Sequence, residues 1–353
     1  MSPPKKILLF EWLTSGGMWQ TGDAPSHVCA MQNQGREMLL ALAEDFLAGG
    51  LEVLLPVDSR LSASMSRQAQ LKMIEIGEEE CLPEVLINLA SESDYVVVIA
   101  PESECILSNC LRWLKDFEDR ILNPSPEFTE LAANKQSVFE YLQSRGFQHS
   151  PCGINFGRFQ RGGQQIDRFP LPAVLKPIQG AGSEEVVVIE DWDDLDLCLN
   201  LLPDQYWLES FVAGTPVSVS VLGSRCGYEL LTPTIQRFDQ RRRSEGLIGE
   251  YVGSEYPIDQ VIKKRALKLA GNVVQALPPT LGYFGLDLVV GDSAGQTNAF
   301  LIEVNPRLTS SYLSLREIYS ENLAMLMLEK TLGPFRPAPE RQVKTCTFRS
   351  PSL

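Results

Sequence analysis

The first third of the chain alternates short apolar runs with segments whose hydrophobic residues recur at helical spacing. The apolar runs lie at residues 7–10, 51–57 and 95–100, and the helical segments at 34–48, 83–90 and 105–119. Strands that are apolar throughout, when helices separate them, are typical of a parallel sheet covered on both faces. Residues 1–122 are therefore predicted to form an α/β domain.

The rest of the chain mixes strand and helix patterns in a different order, typical of an α+β arrangement. A capped helix is predicted over 125–146, which contains Lys135, and a short strand over 173–175 that places Lys176 at its end. Strands follow at 206–212 and 216–222, and helices at 261–277 and 312–332. No internal repeat is visible.

One apolar strand near the C-terminal end carries two oxygen-bearing side chains on one face. In the segment FLIEVNPR, alternation predicts that Glu303 and Asn305 point the same way, while Ile302 and Val304 enter a core. Asp287 lies on the preceding apolar strand and comes within reach if the two strands form a hairpin. Carboxylate and amide oxygens suit Mg²⁺ or Mn²⁺. An isolated Glu-x-Asn is more often the polar face of a half-buried strand, and Asp287 favours the metal interpretation.

A glycine-containing segment follows Lys176 directly. Gly180, Ala181, Gly182 and Ser183 lie between two predicted strands, so their backbone N–H groups can approach phosphate oxygens without obstruction. The segment lacks the Gly-Lys-Ser/Thr of a P-loop. A plain hairpin turn is the alternative for this segment.

Other candidate positions line predicted clefts. Ligands of parallel sheets collect beyond the carboxyl ends of strands, which indicates Glu11, Gly16, Gly17 and Glu102 as substrate-side walls. Because no GxGxxG is present, this region is predicted to hold a substrate other than the nucleotide. Arg241 opens a run of three arginines, which is either a solvated loop or a local countercharge for an anion.

Composition narrows the function classes. Lys and Arg number 31 against 45 Asp and Glu, so the net charge is −14, which argues against nonspecific attraction to nucleic acid or an anionic membrane. The N-terminal apolar run is too short for a signal peptide and no segment reaches membrane-spanning length, so a cytoplasmic location is expected. Eight cysteines without a CxxC pair and two histidines disfavour zinc, disulfide and histidine-based chemistry.

The order of these elements resembles the ATP-grasp superfamily over about residues 123–332: Lys135 on a helix, VLKP with Lys176, GAGS, LESFVAG, then LDLVV and FLIEVNPR. Within that superfamily, the FEW opening, the IAPESE stretch and EVNPRLTSSY resemble the ligases that join tyramine to glutamate in methanofuran biosynthesis. The resemblance implies an ATP-grasp fold in two α+β lobes, preceded by a Rossmann-like parallel-sheet domain. The expected division is 1–122 for the N-terminal domain, 123–205 for the small lobe, 206–335 for the C-terminal lobe and 336–353 for a tail.

The same resemblance implies roles for individual residues. Lys135 and Lys176 would bind ATP phosphates beneath the flap at Gly180–Ser183, and Arg307 would contact the transferred phosphoryl group. Asp287, Glu303 and Asn305 would bind the divalent metal. The segment lining the adenine pocket would contain Glu209, Ser210, Phe211 and Val212. Pro216 and Val217 stand where many relatives carry an acidic residue for the ribose.

The implied activity is ATP-dependent formation of an amide from a carboxylate and an amine through an acyl phosphate. Glutamate and a small amine such as tyramine are the expected small-molecule substrates. A homodimer is one possible assembly. The alternatives are a noncatalytic ATP-binding regulatory protein of the same fold, and a D-alanine–D-alanine-type or peptide ligase with another acceptor.

Overall fold

The computed structural model describes residues 4–20, 26–65, 71–147, 151, 153–155, 169–180, 186–195, 206–243, 246–291, 299–333 and 343–349. Within these ranges, the structure describes the backbone alone for residues 20, 26–30, 63–64, 155, 240–243 and 246–250. The chain folds around two separate sheets, one at the N-terminus and a larger one that takes up the remaining strands.

The N-terminal sheet is parallel, as predicted. Its strands are β1 (Lys6–Glu11), β2 (Glu52–Asp58), β3 (Lys72–Ile76) and β4 (Tyr95–Ile99), in the order β3-β2-β1-β4. Helices α1 (Ser26–Ala48), α2 (Ser62–Met65) and α3 (Leu82–Ser91) connect them, and α4 (Ile106–Trp113) follows β4. Strand β3 was not predicted, because its sequence KMIEI mixes apolar and charged residues, as an edge strand can.

The second sheet is antiparallel and runs in the order β14-β13-β9-β11-β12-β7-β6-β8-β5, with β10 paired to β9 and β15 to β12. Its strands are β5 (Gly153–Asn155), β6 (Ala173–Pro177), β7 (Val187–Ile189), β8 (Tyr206–Ser210), β9 (Thr215–Ser224), β10 (Gly227–Leu230), β11 (Thr234–Arg243), β12 (Gly246–Tyr256), β13 (Gly282–Val290), β14 (Ala299–Asn305) and β15 (Cys346–Arg349). The helices that accompany it are α5 (Pro126–Ala133), α6 (Lys135–Ser144), α7 (Gln260–Ala276), α8 (Ser311–Ile318) and α9 (Leu323–Leu332). The mixed α/β and α+β fold class is confirmed.

Two helices that were predicted as continuous are each broken in two. Asn134 takes an extended conformation (φ −103°, ψ 107°) and its side chain accepts a hydrogen bond from the backbone N–H of Ser137, so α5 ends and α6 begins there. Asn322 caps α9 in the same way through the N–H of Met325. Asparagine competes with the backbone for hydrogen bonds, which makes it a better cap than interior residue.

The two halves of the larger sheet differ in how they are packed. Strands β6, β7 and β8 have a small core of their own, which includes Ala173, Leu175 and Leu208. Strands β9, β13 and β14 instead share one continuous core with α1 and β2 of the N-terminal domain. Strand β8 begins at the expected boundary, residue 206, but it pairs with β6 and β5, which belong to the small lobe. We propose that the two lobes divide in the segment 211–214, after β8.

A polar cluster also ties the N-terminal domain to the C-terminal helices. Asp45 on α1 accepts hydrogen bonds from the Tyr312 hydroxyl at 2.5 Å and from Nη2 of Arg316 at 2.7 Å, both on α8. Its backbone carbonyl accepts another from Asn322 at 2.6 Å. The N-terminal sheet is therefore held in a fixed position beside the strands of the larger sheet.

Among the described helices, none is both long enough and apolar enough to cross a lipid bilayer.

Asp45→Ala is expected to lower the free energy of unfolding by about 2–3 kcal/mol, because it leaves the buried Tyr312 and the half-buried Arg316 without their shared partner. Urea unfolding followed by circular dichroism measures the change. Asp119→Ala, at an exposed position of the same domain, is the matched control and should be nearly neutral. Equal midpoints for the two variants would contradict a stabilising role for the cluster.

Candidate active site

The centre of the candidate site is the hairpin of β13 and β14, which pairs as predicted. Asp287 lies directly opposite Glu303, and Gly285 opposite Asn305. The register shifts after Asp287, so that Leu288 faces Leu301 and Ile302 has no partner across the ladder. The prediction that Ile302 enters the core is wrong for this reason: the bulge inserts one residue, so that Leu301 is buried in its place and Ile302 is half-buried.

Asp287 is held by amide groups from two other strands. Nδ2 of Asn305 donates to its Oδ2 at 3.0 Å, and Nε2 of Gln236 on β11 donates to its Oδ1 at 3.1 Å. Gln236 was missed by the sequence analysis. It reaches Asp287 across the intervening strand β9, where the small residue Ser218 pairs with Asp287 on one side and Thr234 on the other. Only the strand order reveals this contact.

The two carboxylates of the hairpin experience opposite electrostatic shifts. Burial, and then the charge of Glu303, raise the pKa of Asp287 to about 6. Burial also disfavours the charged form of Glu303, but the positive charges of Lys135, Lys176 and Arg307 outweigh it and keep the pKa of Glu303 below its usual value. Glu303 is therefore ionised at neutral pH in the middle of three cations.

Lys135 provides the nearest of these cations. Its Nζ lies 2.8 Å from Oε1 of Glu303, with 9% of the lysine side chain exposed. Because Lys135 is the first residue of α6, the cap at Asn134 fixes where its side chain starts. The backbone N–H of Lys135 also donates to the carbonyl of Ile178 at 3.0 Å, which joins α6 to the end of β6.

Lys176 forms a second, more deeply buried pair. Its Nζ lies 2.6 Å from Oε1 of Glu209 on β8 and donates to the carbonyl of Ile302 at 3.2 Å. Nε1 of Trp207 donates to the other oxygen of Glu209 at 3.2 Å. Trp207 was not a predicted site residue, and its place two residues before Glu209 on the same strand face is the signal that could have indicated it. Lys176 thus connects the small-lobe strands to the bulge of β14.

Arg307 and Glu102 form a third pair across the two sheets. Nε of Arg307 lies 2.8 Å from Oε1 of Glu102, which is 3% exposed. Burial raises the pKa of Glu102, and the guanidinium charge of Arg307 partly offsets that rise. The loop after β14 is consequently anchored to the loop after β4, and two residues predicted for different substrates lie in contact.

The other predicted substrate-side residues separate into two groups. Glu11 ends β1, is 2% exposed, and lies in a cleft together with Arg307. Gly16 and Gly17 pack against the rings of Trp19 and Trp12, and they do not line this cleft. Their glycine character fits the tight approach of those rings.

Several predicted nucleotide contacts lie at or beyond the edge of what is described. Gly180 is described at the end of the segment after β6, whereas Ala181, Gly182, Ser183 and the side chain of Arg241 lie outside the described residues. Arg241 itself belongs to β11, so it is in a strand and not in a loop. Ser210 ends β8, and Phe211 and Val212 follow in the connection to β9, where Phe211 is 41% exposed. That exposed segment is available to a ligand between the lobes.

The donor set on β13 and β14 fits a hard divalent cation. Asp287 and Glu303 are paired across the ladder, and the amide of Asn305 lies against Asp287. Within the described ranges no group of three or more His, Cys, Asp and Glu side chains gathers at one point. Two carboxylates and one amide oxygen leave the remaining coordination positions to phosphate oxygens and water, as Mg²⁺ prefers. We therefore retain Asp287, Glu303 and Asn305 as proposed metal ligands.

Family comparisons agree with this geometry. The ATP-grasp domain family matches residues 132–311, more than half of the chain, and the pre ATP-grasp 3 domain family matches residues 51–127. The chain belongs to the ATP-grasp family, and it is an ATP-dependent carbon–nitrogen ligase of that family.

Individual relatives are distant but extensive. The tyramine–L-glutamate ligase of Methanocaldococcus fervens is 24% identical over 326 residues, covering 92% of this chain and 93% of the relative. An ATP-grasp superfamily protein from Archaeoglobus fulgidus has a TM-score of 0.68 at 17% identity, covering 98% and 99% of the two chains. The L-amino acid ligase of Bacillus licheniformis has a TM-score of 0.62 at 15% identity, covering 94% of this chain and 75% of that one. The two solved structures support the fold alone.

Asp287→Asn is expected to change how stability depends on pH in the metal-free protein. The pKa of Asp287 is about 6 in the fold against a reference of 3.8, so its stabilising contribution is complete below about pH 4 and is lost as pH rises through 6. The variant should therefore gain stability relative to the parent between pH 4 and 7, by at most about 3 kcal/mol.

Urea unfolding in EDTA at half-unit pH steps measures this difference. Asp119→Asn, at an exposed position, should follow the parent at every pH. A stability difference between Asp287→Asn and the parent that stays constant from pH 4 to 7 would contradict the shifted pKa.

Proposed function

We propose that this protein joins the carboxylate of glutamate, or of a similar amino acid, to a small primary amine such as tyramine, with ATP converted to ADP and phosphate. The observation that supports it most strongly is the ion pair of Lys135 and Glu303, because it brings the start of α6 to the candidate metal strand. The extensive similarity to a tyramine–L-glutamate ligase favours these substrates over others.

The first step follows from the charges of the site. A substrate carboxylate approaches the γ-phosphate against strong repulsion, which Lys135, Lys176 and Arg307 reduce by neutralising the phosphate oxygens. The carboxylate oxygen bonds to the γ-phosphorus as the bond to the β–γ bridging oxygen breaks, and ADP leaves. The product is an acyl phosphate, which the amine then attacks to give the amide and inorganic phosphate.

Lys135 and Lys176 are each paired with a glutamate, and the phosphates of a nucleotide would compete with these glutamates for the lysines. Each ammonium lies within 2.8 Å of a glutamate oxygen, so its charge is compensated within the protein. We propose that Lys135 exchanges Glu303 for a phosphate oxygen when ATP binds, which releases Glu303 as a ligand for the metal. Lys176 keeps its bonds to Glu209 and to the carbonyl of Ile302 and directs its third N–H to a phosphate oxygen.

A divalent cation held by Asp287, Glu303 and Asn305 would supply further neutralisation of the phosphate oxygens. With or without that cation, the pair of Arg307 and Glu102 anchors the loop after β14 on the side where the acyl phosphate would form.

Glu303→Ala is expected to lower turnover by two or more orders of magnitude while the protein stays folded, because Glu303 contributes mainly to the charge balance of the site and is only half-buried. Steady-state ADP release with glutamate and tyramine measures the loss. Glu118→Ala, at an exposed position of the N-terminal domain, should retain parental activity. Near-parental turnover of Glu303→Ala would remove this residue from the site.

The substrate assignment is tested by ADP release coupled to product mass, over a panel of amino acids and amines. A glutamyl amide whose mass follows the amine supplied is the expected result. A dipeptide formed in the absence of any amine would instead indicate a ligase of the D-alanine–D-alanine type, one member of which, from Rhizorhabdus wittichii, is 27% identical to this chain over 158 residues. ATP binding with no carboxylate-dependent ADP release would exclude the proposed reaction.

A further inference from the structure

A cleft lies between the N-terminal domain and the loop that follows β14. Glu11 and Arg307 are its charged lining residues, and Leu13, Met31, Met38 and Ile99 give it mainly apolar walls. It is separate from the cleft that contains Lys135 and Glu303. Of the residues proposed to act on the nucleotide, Arg307 alone is among those that line this cleft.

Glu11 is an unusual residue to find in such a wall. It is the last residue of β1 and is 2% exposed, although it is ionisable. The backbone N–H and the hydroxyl of Thr14 both donate to its Oε2, at 2.8 and 2.7 Å. Those bonds fix the direction of the carboxyl group.

Helix α1 is shaped to admit this carboxyl group. A Cβ built on Gly35 would lie 2.5 Å from Oε1 of Glu11, closer than side chains approach, so any larger residue at that position of the helix would displace the carboxyl group. Glycine in a helix interior costs about 1 kcal/mol relative to alanine, which makes the close approach a specific feature of this wall. Oε1 therefore points towards α1, from which Met31 and Met38 line the same cleft.

The residues that line the cleft indicate which class of ligand it would bind. A carboxylate that is buried among apolar walls is stabilised by a cation, and a cation with an apolar body would fill the rest of the space. The thioethers of Met31 and Met38 adapt to irregular shapes and contact aromatic rings favourably. A primary ammonium on an apolar or aromatic body matches both features.

Arg307 distinguishes one end of the cleft from the other. It lies in the same cleft as Glu11, and its pairing with Glu102 holds it at the end that faces β14. An amine whose nitrogen lies between Glu11 and Arg307 would have its apolar body against α1 and its nitrogen directed towards the loop after the metal strand.

We propose that this cleft binds the amine substrate, and that Glu11 receives its ammonium group and removes the proton that blocks attack on the acyl phosphate. The assignment rests on the proposed ligase function and names the subsite and the residue for its second substrate.

The Glu11 carboxylate takes one proton from the ammonium, which leaves a neutral amine with a free electron pair. That pair forms the carbon–nitrogen bond as the bond between the carbonyl carbon and the phosphate oxygen breaks. The departing phosphate takes the second proton from nitrogen and leaves as hydrogen phosphate.

The environment of Glu11 is compatible with this role. Burial raises the pKa of Glu11 to about 7, against the opposing hydrogen bonds from Thr14 and the charge of Arg307. Glu102 pairs with Arg307 and compensates its positive charge. A carboxyl group with a pKa near neutrality can both accept and release a proton during turnover.

Glu11→Gln is the direct test, because glutamine keeps the shape and loses the charge. With tyramine as the amine, kcat/KM for the amine should fall about 100-fold or more, the range expected for loss of a general base. The KM for glutamate should stay within twofold of the parent. Glutamate-dependent positional isotope exchange in ATP, which reports acyl phosphate formation without amine, should also persist.

Glu79→Gln is the matched control, since it makes the same substitution at an exposed position of the same domain. It should behave as the parent in all three measurements. A purely structural role for Glu11 at the Thr14 turn predicts that Glu11→Gln would lose isotope exchange and amine turnover together, and that result would overturn the proposal.

Met31→Trp gives a second test that does not alter Glu11. The larger side chain should raise KM for tyramine at least tenfold while leaving KM for methylamine within twofold, because methylamine lacks the body that the apolar walls hold. Equal effects on the two amines would overturn the assignment of the cleft.

Failure of the ligase function and failure of the amine subsite would give different experimental results. If the parent enzyme forms no amide with any amine, the ligase function itself is excluded, and this assignment with it. If the parent forms the amide while Glu11→Gln and Met31→Trp keep parental amine kinetics, only the amine subsite is wrong.

Discussion

The candidate site depends on burying its charged side chains as pairs of opposite charge. Lys176 with Glu209, Lys135 with Glu303 and Arg307 with Glu102 each place a cation within 3 Å of a carboxylate in a largely buried setting. Leaving any one of these groups alone would cost several kcal/mol, so the lobes close around matched partners. A nucleotide with its own negative charge can then enter by exchanging partners, without creating an isolated cation.

The same pairs connect separate parts of the fold. Lys176 links β6 to β8 and to the bulge of β14, whereas Arg307 links the larger sheet to the N-terminal domain. The continuous core under α1, β2 and β9 makes the N-terminal domain and the C-terminal strands one packed body, and the small lobe keeps a core of its own. Relative movement of the small lobe is therefore less costly than movement of the N-terminal domain.

The bulge on β14 shows how one residue alters a site. Strict alternation would have placed Ile302 in the core and left its backbone in the ladder, but the extra residue turns its carbonyl towards Lys176. Bulges of this kind often occur next to active sites, where they redirect a side chain or free a backbone group. Glu303 and Asn305 keep their common face because the shift occurs before them.

The sequence by itself determined the parallel N-terminal sheet, the hairpin of β13 and β14, and the identity of the charged side chains, because hydrophobic periodicity and motif order are local properties. Tertiary structure alone decided which charges meet. Gln236 reaches Asp287 across β9, Lys135 meets Glu303, and Glu11 shares a cleft with Arg307 from the other end of the chain. Such contacts depend on strand order and on close packing between distant segments, and no spacing along one chain records them.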